Sequence, residues 1–227
     1  GTWGSTMKSR KIYGIGCLTW LILAATEARA LDILLTNDDG FESAQIRALY
    51  AMLEDRGHSV VISAPTQNNS GTGGAMGFLH PVGPLTRATR GGTVAAGAPG
   101  VGTDPADPDI HYVDGSPVMS LLYGLDVIAF SKWGRQPDLV VSGPNEGNNQ
   151  GLINPSSGTF NNALYAINRG IPAIAVSSGE TAQKNGLPGD KEAIEFRIAG
   201  LVVDLIDRIE RNRGGARSKG ALLPPGT

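Results

Sequence analysis

Two adjacent carboxylates, Asp38 and Asp39, stand at the end of the run Ile-Leu-Leu-Thr-Asn-Asp-Asp-Gly, which covers residues 33–40. Neighbouring carboxylates repel each other unless a cation joins them, and a divalent metal ion does this most simply. The pair is therefore a candidate metal site. The same residues also suit an ordinary loop, in which Asp39-Gly40 turns the chain and Asn37 or Asp38 caps the following helix.

Two further polar residues follow other apolar runs. Ser70 lies in Asn-Asn-Ser-Gly, after the run 59–63, and Asn145 lies in Gly-Pro-Asn-Glu-Gly, after the run 138–142. Carboxylate, hydroxyl and amide oxygens are the hard ligands that Mg²⁺, Mn²⁺ and Ca²⁺ prefer. Taken separately, Ser70 and Asn145 each fit a turn hydrogen bond to the backbone better than a ligand role. Their position after successive apolar runs favours the metal interpretation, because parallel strands deliver these loops to one edge of a sheet.

The apolar runs predict a buried parallel sheet that would position these loops. Residues 33–35 have the continuity of a strand buried on both faces. Helical spacing over 43–53, with Ser43 as a candidate N-cap, precedes a strand at 59–63, which indicates a β-α-β unit. Further elements are predicted as strands at 138–142 and 174–177, as helices at 116–124, 161–169 and 191–211, and as a strand-and-loop excursion over 81–113.

Composition sets limits on the class of protein. The chain has 227 residues, of which 41% are hydrophobic and 18% charged, as expected for a globular protein that does not require two domains. A net charge of −2 without a basic face argues against a nucleic-acid polymer as partner. Gly71, Gly73 and Gly77 miss the G-x-G-x-x-G spacing and follow a loop, which disfavours a dinucleotide enzyme.

The N-terminal region has the features of a secretory signal peptide. A basic stretch from Met7 to Lys11 precedes a mostly apolar stretch over 12–25, and Ala28-Arg-Ala30 offers a cleavage site. The apolar stretch is short for a membrane anchor. Residues 1–6 are interpreted as a cloning remnant, so residues 31–227 are predicted to form a single domain. We expect an exported protein, secreted or periplasmic, with no membrane attachment after signal removal.

Five sequence blocks together resemble the SurE family of metal-dependent nucleotidases and phosphatases. Their order and separations are similar to those of the family, and the resemblance covers nearly all of residues 31–210. The export signal and the Gly-Pro-Asn-Glu-Gly form are more similar to secreted members. The blocks are residues 33–40, 64–71, 141–147, 157–159 and 169–175.

The resemblance implies a Rossmann-like, doubly wound α/β fold with a mainly parallel sheet in three α/β/α layers. It implies hydrolysis of phosphomonoesters, typically nucleoside 5′- or 3′-monophosphates, with one Mg²⁺ or Mn²⁺ ion and Ca²⁺ as an alternative occupant. The implied metal ligands are Asp38, Asp39, Ser70 and Asn145, and the implied catalytic residues are Asp38, Asp39 and Asn145. The implied phosphate-binding residues are Asn37, Ser142, Gly143, Ser157, Gly158 and Thr159.

The resemblance also shapes the expected mechanism and assembly. We expect in-line attack by a water that Asp38 or Asp39 orients or deprotonates. Adjacent aspartates make direct attack by a carboxylate the less favoured route. The N–H groups of residues 157–159, at a helix start, would hold phosphoryl oxygens. The full-length form is expected to be a homodimer or higher oligomer, and the end near Pro224-Pro225 is interpreted as a C-terminal truncation.

Two departures from the family pattern and one alternative function remain. Asn161-Asn162 replace small apolar residues, and the stretch 81–113 matches poorly and is expected to hold specificity elements. The alternative is a catalytically weak protein of the same fold that binds metal and phosphate.

Overall fold

The computed structural model describes residues 1–2, 30–179 and 193–213. The predicted signal peptide and the segment after residue 213 lie outside the described residues, so the predictions made there stay predictions. Within the described ranges, none of the helices combines the length and the apolar content needed to span a lipid bilayer.

The described residues build one six-stranded sheet with the order β3-β4-β2-β1-β5-β6. Every neighbouring pair is parallel except β3 and β4, which form an antiparallel hairpin at one edge. The predicted mainly parallel sheet is therefore confirmed. The strands are β1 (Asp32–Thr36), β2 (Ser59–Pro65), β3 (Val101–Asp104), β4 (Asp107–Val113), β5 (Leu139–Glu146) and β6 (Ala173–Ser178).

The described residues also form five α-helices. They are α1 (Ala44–Asp55), α2 (Pro117–Tyr123), α3 (Ala129–Trp133), α4 (Gly158–Asn168) and α5 (Ile194–Arg213). Helix α2 begins as predicted, because the Ser116 side chain accepts the Met119 N–H and Pro117 occupies the first turn. It does not end at Gly124, as the sequence predicts. A π-helical turn, Gly124–Ile128, leads directly into α3, since buried Leu125 and Ile128 continue the apolar stripe.

Strand β1 separates two hydrophobic layers. Ile33 and Leu35 pack into a cluster with α1 and α5, whereas Leu34 packs on the opposite face with residues of α2 and α4. This alternation along a buried strand confirms the three-layer α/β/α arrangement. Leu85 and Val94, from the long loop between β2 and β3, also enter the first cluster. The predicted excursion is therefore a loop packed on the sheet, followed by the β3–β4 hairpin.

Strand β5 is longer than the sequence predicts. It continues through Gly143 to Glu146, and its register with β6 shifts between Ser142 and Asn145. The shift occurs where Gly143 adopts a φ of +107° and where a Cβ would collide with the carbonyl oxygen of Val176. Asn145 therefore lies on an irregular strand end and not in a free loop.

The direction of chain winding reverses at β1. The chain passes from β1 through α1 to β2 on one side, and it later returns from β4 through α2 and α3 to β5 on the other side. Open α/β sheets bind ligands in the crevice at the carboxyl ends of the strands at such a reversal. The polar residues after β1 and at the end of β5 lie at this position.

Candidate active site

Asp38 is bound to the first turn of α4. Its Oδ2 accepts the backbone N–H groups of Gly158, at 3.1 Å, and Thr159, at 3.3 Å. Its Oδ1 accepts the Thr159 hydroxyl at 2.9 Å. A carboxylate at a helix N-terminus is stabilised by the helix dipole and by the free N–H groups there. The sequence assigns these N–H groups to a phosphate, but in this structure Asp38 takes them. Their contact with a phosphate stays a prediction.

Asp39 is fully buried and is held by two donors. Its Oδ2 accepts the backbone N–H of Glu146 at 2.8 Å, and its Oδ1 accepts the Asn68 side chain at 3.1 Å. Burial, and after it repulsion from Asp38, raises the pKa of Asp39 to about 7, although the Glu146 N–H opposes the shift. Burial also raises the pKa of Asp38, against the hydrogen bonds from Thr159. The pair is therefore pushed toward its neutral forms, and a bound cation would relieve this penalty.

The Asn37 side chain closes the turn that follows β1. Its amide accepts the Gly40 N–H at 3.1 Å and donates to the Gly40 carbonyl at 3.0 Å. Gly40 has a φ of +111°, which a residue with a side chain rarely adopts. The chain turns at Gly40, as the loop interpretation predicts, but Asn37 closes this turn and does not cap α1. Ser43 occupies the N-cap position of α1, but its hydroxyl donates to Glu146 at 3.1 Å and does not cap the helix.

Asn145 presents an unsatisfied oxygen in a buried position. Its Nδ2 donates to the Gly147 carbonyl at 3.0 Å, whereas its Oδ1 is buried and has no hydrogen-bond partner among the described residues. The Ser142 hydroxyl is in the same condition within the described part of the chain. Leaving a buried acceptor unpaired costs free energy, roughly 1–3 kcal/mol. An oxygen held in this state is suited to ligate a cation.

One cavity brings together three of the four predicted metal ligands. Asp38, Ser70 and Asn145 line a space of about 200 Å³, together with Ser157 and Glu146 among others. Ser70 is exposed, and its backbone N–H donates to Asn68 Oδ1 at 2.9 Å. Asp39 is not among the residues that line this cavity. Its contact with Asn68 connects it to the loop that carries Ser70.

Arg90 is the functional residue that sequence reasoning missed. Its guanidinium donates to the Asp39 carbonyl at 2.6 Å and pairs with Glu146 at 2.9 Å, and its side chain is only 14% exposed. It thus places a buried positive charge beside the acidic residues. Arg90 lies in the loop between β2 and β3, where no periodic pattern marks it. The sequence indicates such a residue only indirectly, because buried carboxylates require a nearby cation.

Glu42 holds the loop that carries Arg90. Its buried carboxylate accepts the Thr89 hydroxyl at 2.8 Å, the Thr93 N–H at 2.9 Å and the Gly91 N–H. These contacts fix the chain on both sides of Arg90. Glu42 follows the Asp pair by three positions, so the same loop supplies the acidic site and the anchor for its arginine.

The oxygen donors of Asp38, Asp39, Ser70 and Asn145 fit a divalent cation. Another group, His58, Asp207 and Glu210, brings its ligand atoms within 4.8 Å of one another. It lies at the amino ends of the strands, on the opposite side of the sheet from Asp38, since His58 directly precedes β2. His58 Nδ1 accepts the Leu31 N–H at 3.1 Å, which places the ring proton on Nε2. A protonated Nε2 is a donor and not a metal ligand, so the site after β1 is the better candidate.

A doubly wound, mainly parallel α/β sheet with two buried carboxylates at its winding reversal defines a Rossmann-like ligand-binding protein whose site suits a cation and an anionic ligand. Residues 33–217 match the model of the family described as Survival protein SurE. The chain therefore belongs to the SurE family, and the resemblance inferred from the sequence is confirmed.

Individual relatives agree with this assignment. The acid phosphatase of Yarrowia lipolytica (strain CLIB 122 / E 150) is 42% identical over 149 residues, covering 64% of this chain and 41% of that protein. The 5′-nucleotidase SurE of Geobacter metallireducens (strain ATCC 53774 / DSM 7210 / GS-15) is 33% identical over 197 residues, covering 87% and 62%. The crystal structure of the SurE protein from Aquifex aeolicus has a TM-score of 0.59 at 31% identity and covers 79% of this chain and 60% of that one. The chain spans about half the length of the curated relatives it matches.

Proposed function

We propose that this protein is a metal-dependent phosphomonoesterase that hydrolyses nucleoside 5′- or 3′-monophosphates and related phosphate monoesters. The observation that carries the proposal is the cavity lined by both Asp38 and Asn145, since the side-chain oxygen of Asn145 is buried without a partner among the described residues. The names of the relatives, 5′-nucleotidase and acid phosphatase, support the reaction class.

The proposed metal ligands are Asp38, Asp39, Ser70 and Asn145, with Mg²⁺ or Mn²⁺ as the ion and Ca²⁺ as an alternative. The buried acids, whose pKa values are raised, and the unpaired amide oxygen both gain from a cation at this position. A divalent ion bound there would neutralise charge on the phosphate and act as a Lewis acid.

Asp38 is the proposed acceptor of the proton from the attacking water. Asp38 lines the cavity, whereas Asp39 does not, so Asp38 is the proposed partner of a water in the cavity. Attack of the water oxygen on phosphorus breaks the bond to the leaving oxygen, and that oxygen takes its proton from solvent. Direct attack by Asp38 is disfavoured, because three hydrogen bonds from Gly158 and Thr159 hold the carboxylate in place.

The phosphate is proposed to lie beside Ser157, which lines the cavity. The Ser142 hydroxyl, which is buried without a partner among the described residues, is proposed as a further donor. Ser157 stands at the start of α4, where the helix dipole favours negative charge. The other predicted phosphate-binding residues are proposed to support the substrate indirectly, through the backbone or through Asp38. They are Asn37, Gly143, Gly158 and Thr159. We also propose that the protein is exported through a cleaved signal peptide. The full-length form is proposed to be a homodimer or higher oligomer.

The test is phosphate release from AMP and from p-nitrophenyl phosphate, measured after treatment with EDTA and again after Mg²⁺ or Mn²⁺ is restored. We expect activity that is lost on chelation and recovered with metal. No release with either metal, from a sample whose folding is verified by circular dichroism, would overturn the proposal. Metal and phosphate binding without release would then identify the catalytically weak binding protein instead.

A further inference from the structure

Arg90 connects the ends of three neighbouring strands. Its backbone N–H donates to the carbonyl of Thr66, directly after β2, at 2.9 Å. One guanidinium nitrogen donates to the carbonyl of Asp39, the third residue after β1, at 2.6 Å. The other pairs with Glu146, the last residue of β5, at 2.9 Å. Because β2, β1 and β5 are adjacent in the sheet, this one residue joins their carboxyl ends.

The two strand ends that the guanidinium joins carry two of the proposed metal ligands. Asp39 is one of them, and Asn145, the other, directly precedes Glu146. The Asp39 side chain also accepts the Glu146 N–H at 2.8 Å. Asp39, Glu146 and Arg90 therefore form a closed ring of hydrogen bonds. A fully satisfied network of this kind makes the structure around it more rigid than a single contact does.

Arg90 adds little net charge to the site, because Glu146 offsets it. The two side chains are buried together, and as a neutral pair they leave the negative charges of Asp38 and Asp39 to a divalent cation. Two separate guanidinium nitrogens serve two separate acceptors, which is a geometry that a lysine ammonium does not reproduce. The contacts therefore indicate a role in the placement of residues and not in the charge of the site.

The loop of Arg90 is held in place on both sides of this residue. The Glu42 carboxylate accepts the Thr89 hydroxyl on one side and the N–H groups of Gly91 and Thr93 on the other. All of these contacts are made within the protein, so they orient Arg90 independently of any ligand. Partners outside the ligand set orient metal ligands in this way, and their loss typically lowers metal affinity about 10–100-fold.

We infer that Arg90 is a positioning residue for the proposed metal site. Its guanidinium holds the end of β1 against the end of β5 and thereby keeps Asp39 and Asn145 in the arrangement that binds the ion. Arg90 does not line the cavity beside Asp38, so it acts through these other residues. The presence of a metal ion at this place rests on the proposed function, whereas the contacts of Arg90 with the two strand ends do not.

Arg47 provides a matched control for Arg90. Its side chain is buried to a similar extent, at 12% exposure, and pairs with Asp104. Its guanidinium also donates to the carbonyl of Phe41, in the same loop that carries Asp39. Within the described ranges, the guanidinium bonds to these two residues and to no residue of β5. Arg90→Lys and Arg47→Lys both keep the positive charge, so a difference between them reports on the contacts at the ends of β1 and β5.

The first test measures amide hydrogen exchange by NMR on the full chain in EDTA. The Glu146 N–H reports on its contact with Asp39, and the Val140 N–H, near the start of the same strand, reports on global opening. Relative to Val140, Glu146 is expected to exchange about tenfold faster in Arg90→Lys and to change less than about twofold in Arg47→Lys. An unchanged ratio in Arg90→Lys, or an equal rise in both variants, would overturn the positioning role.

The second test measures Mn²⁺ binding by calorimetry in the wild type and in both variants. We expect the Kd to rise at least about tenfold in Arg90→Lys and less than about twofold in Arg47→Lys, with the stoichiometry unchanged. Partial unfolding alone would lower the stoichiometry and leave the Kd unchanged, and this result would overturn the inference.

The same binding data, together with phosphate release from AMP, separate this inference from the proposed function. If the wild type binds Mn²⁺ and the Kd values differ as expected, but no phosphate is released, the proposed function fails and the positioning role stands. If the wild type hydrolyses AMP and the Kd values are equal, the inference fails and the proposed function stands. Absence of Mn²⁺ binding in the wild type would overturn both.

Discussion

The amino and carboxyl ends of the strands form two opposite edges of the sheet, here called the amino edge and the carboxyl edge. Charged residues at these two edges differ in their exposure to solvent. At the amino edge, Arg135 pairs with Asp32 and Asp138 while its side chain remains 44% exposed. At the carboxyl edge, Asp39 is buried against Asp38, and the nearby Arg90 is largely covered. Exposed pairs contribute little to stability, whereas buried acids of raised pKa oppose folding unless a ligand compensates them. The carboxyl edge therefore keeps buried acids at a cost in stability, an arrangement that is typical of a functional site.

The largest expected effect comes from Asp39→Asn. The variant should lose metal binding and more than about a hundredfold of turnover, since loss of even an outer partner of a metal site can cost that much. The fold should persist, because an amide oxygen can still accept the Glu146 N–H. Phosphate release and metal titration measure the effect. The control on the amino edge is Asp32→Asn, which should keep activity within about twofold. Full activity in Asp39→Asn would refute the assignment of the site.

Removal of one arginine from each edge tests whether the two edges differ in their contribution to stability. Arg90→Ala leaves Glu146 without its buried partner and is expected to lower the free energy of unfolding by about 3–5 kcal/mol. Arg135→Ala removes two ion pairs of a largely exposed arginine and should cost about 1 kcal/mol or less. Urea unfolding monitored by circular dichroism gives both values. Equal losses in the two variants would show that the two edges do not differ as described.

The pH dependence of stability tests the buried acid directly. Unfolded Asp39 releases its proton near pH 3.8, whereas in the folded chain its pKa is raised to about 7. Between these values the folded state holds more protons, so rising pH favours unfolding. In EDTA, the free energy of unfolding is expected to fall by about 2–4 kcal/mol from pH 4 to pH 8, relative to Asp39→Asn. Parallel curves for the two proteins would contradict the raised pKa.

The smallest effect on the free energy of unfolding is expected at the amino edge, at His58. There stability is lost as pH falls, whereas for Asp39 it is lost as pH rises. Burial lowers the pKa of His58, although Asp207 raises it in part. The neutral ring is therefore favoured in the folded state, and the stability it contributes is lost as pH falls below about 6.5. His58→Asn keeps an acceptor for the Leu31 N–H and removes the titration. Its unfolding free energy should vary less than that of the wild type between pH 5 and pH 7. A variant with an unchanged acid dependence would show that His58 is not the cause.

The local patterns of the sequence predict the sheet well. The apolar run before Asp38 and the helical spacing after Ser43 recur as β1 and α1, because burial on both faces and a single apolar stripe leave few alternatives. The position of Asp38 and Asn145 in one cavity also follows from strand order alone. These features depend on residues close together in the chain.

Long-range contacts explain what the sequence could not predict. Arg90 reaches Asp39 across 51 positions, and the Asp38 carboxylate meets the Thr159 hydroxyl across 121. Contacts between residues so far apart produce no periodic pattern in the sequence. The contacts by which Glu42 anchors the loop of Arg90 also lie in a segment without regular secondary structure. The extension of β5 beyond Ser142 was missed for a similar reason, since Gly143-Pro144 is typical of a strand end and not of its interior.

Two glycine positions limit where the substrate preference of the proposed phosphomonoesterase can change. A Cβ on Gly158 would lie 2.6 Å from Asp38 Cβ and 2.7 Å from Pro117 Cγ, and Gly143 has no room beside Val176. Nearly every variant at these two positions would be eliminated in a mutational library. Asn148 and Gln150 are exposed and tolerate exchange without disturbing the core. Directed evolution of the proposed phosphomonoesterase would therefore begin with the loop after β5, while the proposed reaction centre stays unchanged.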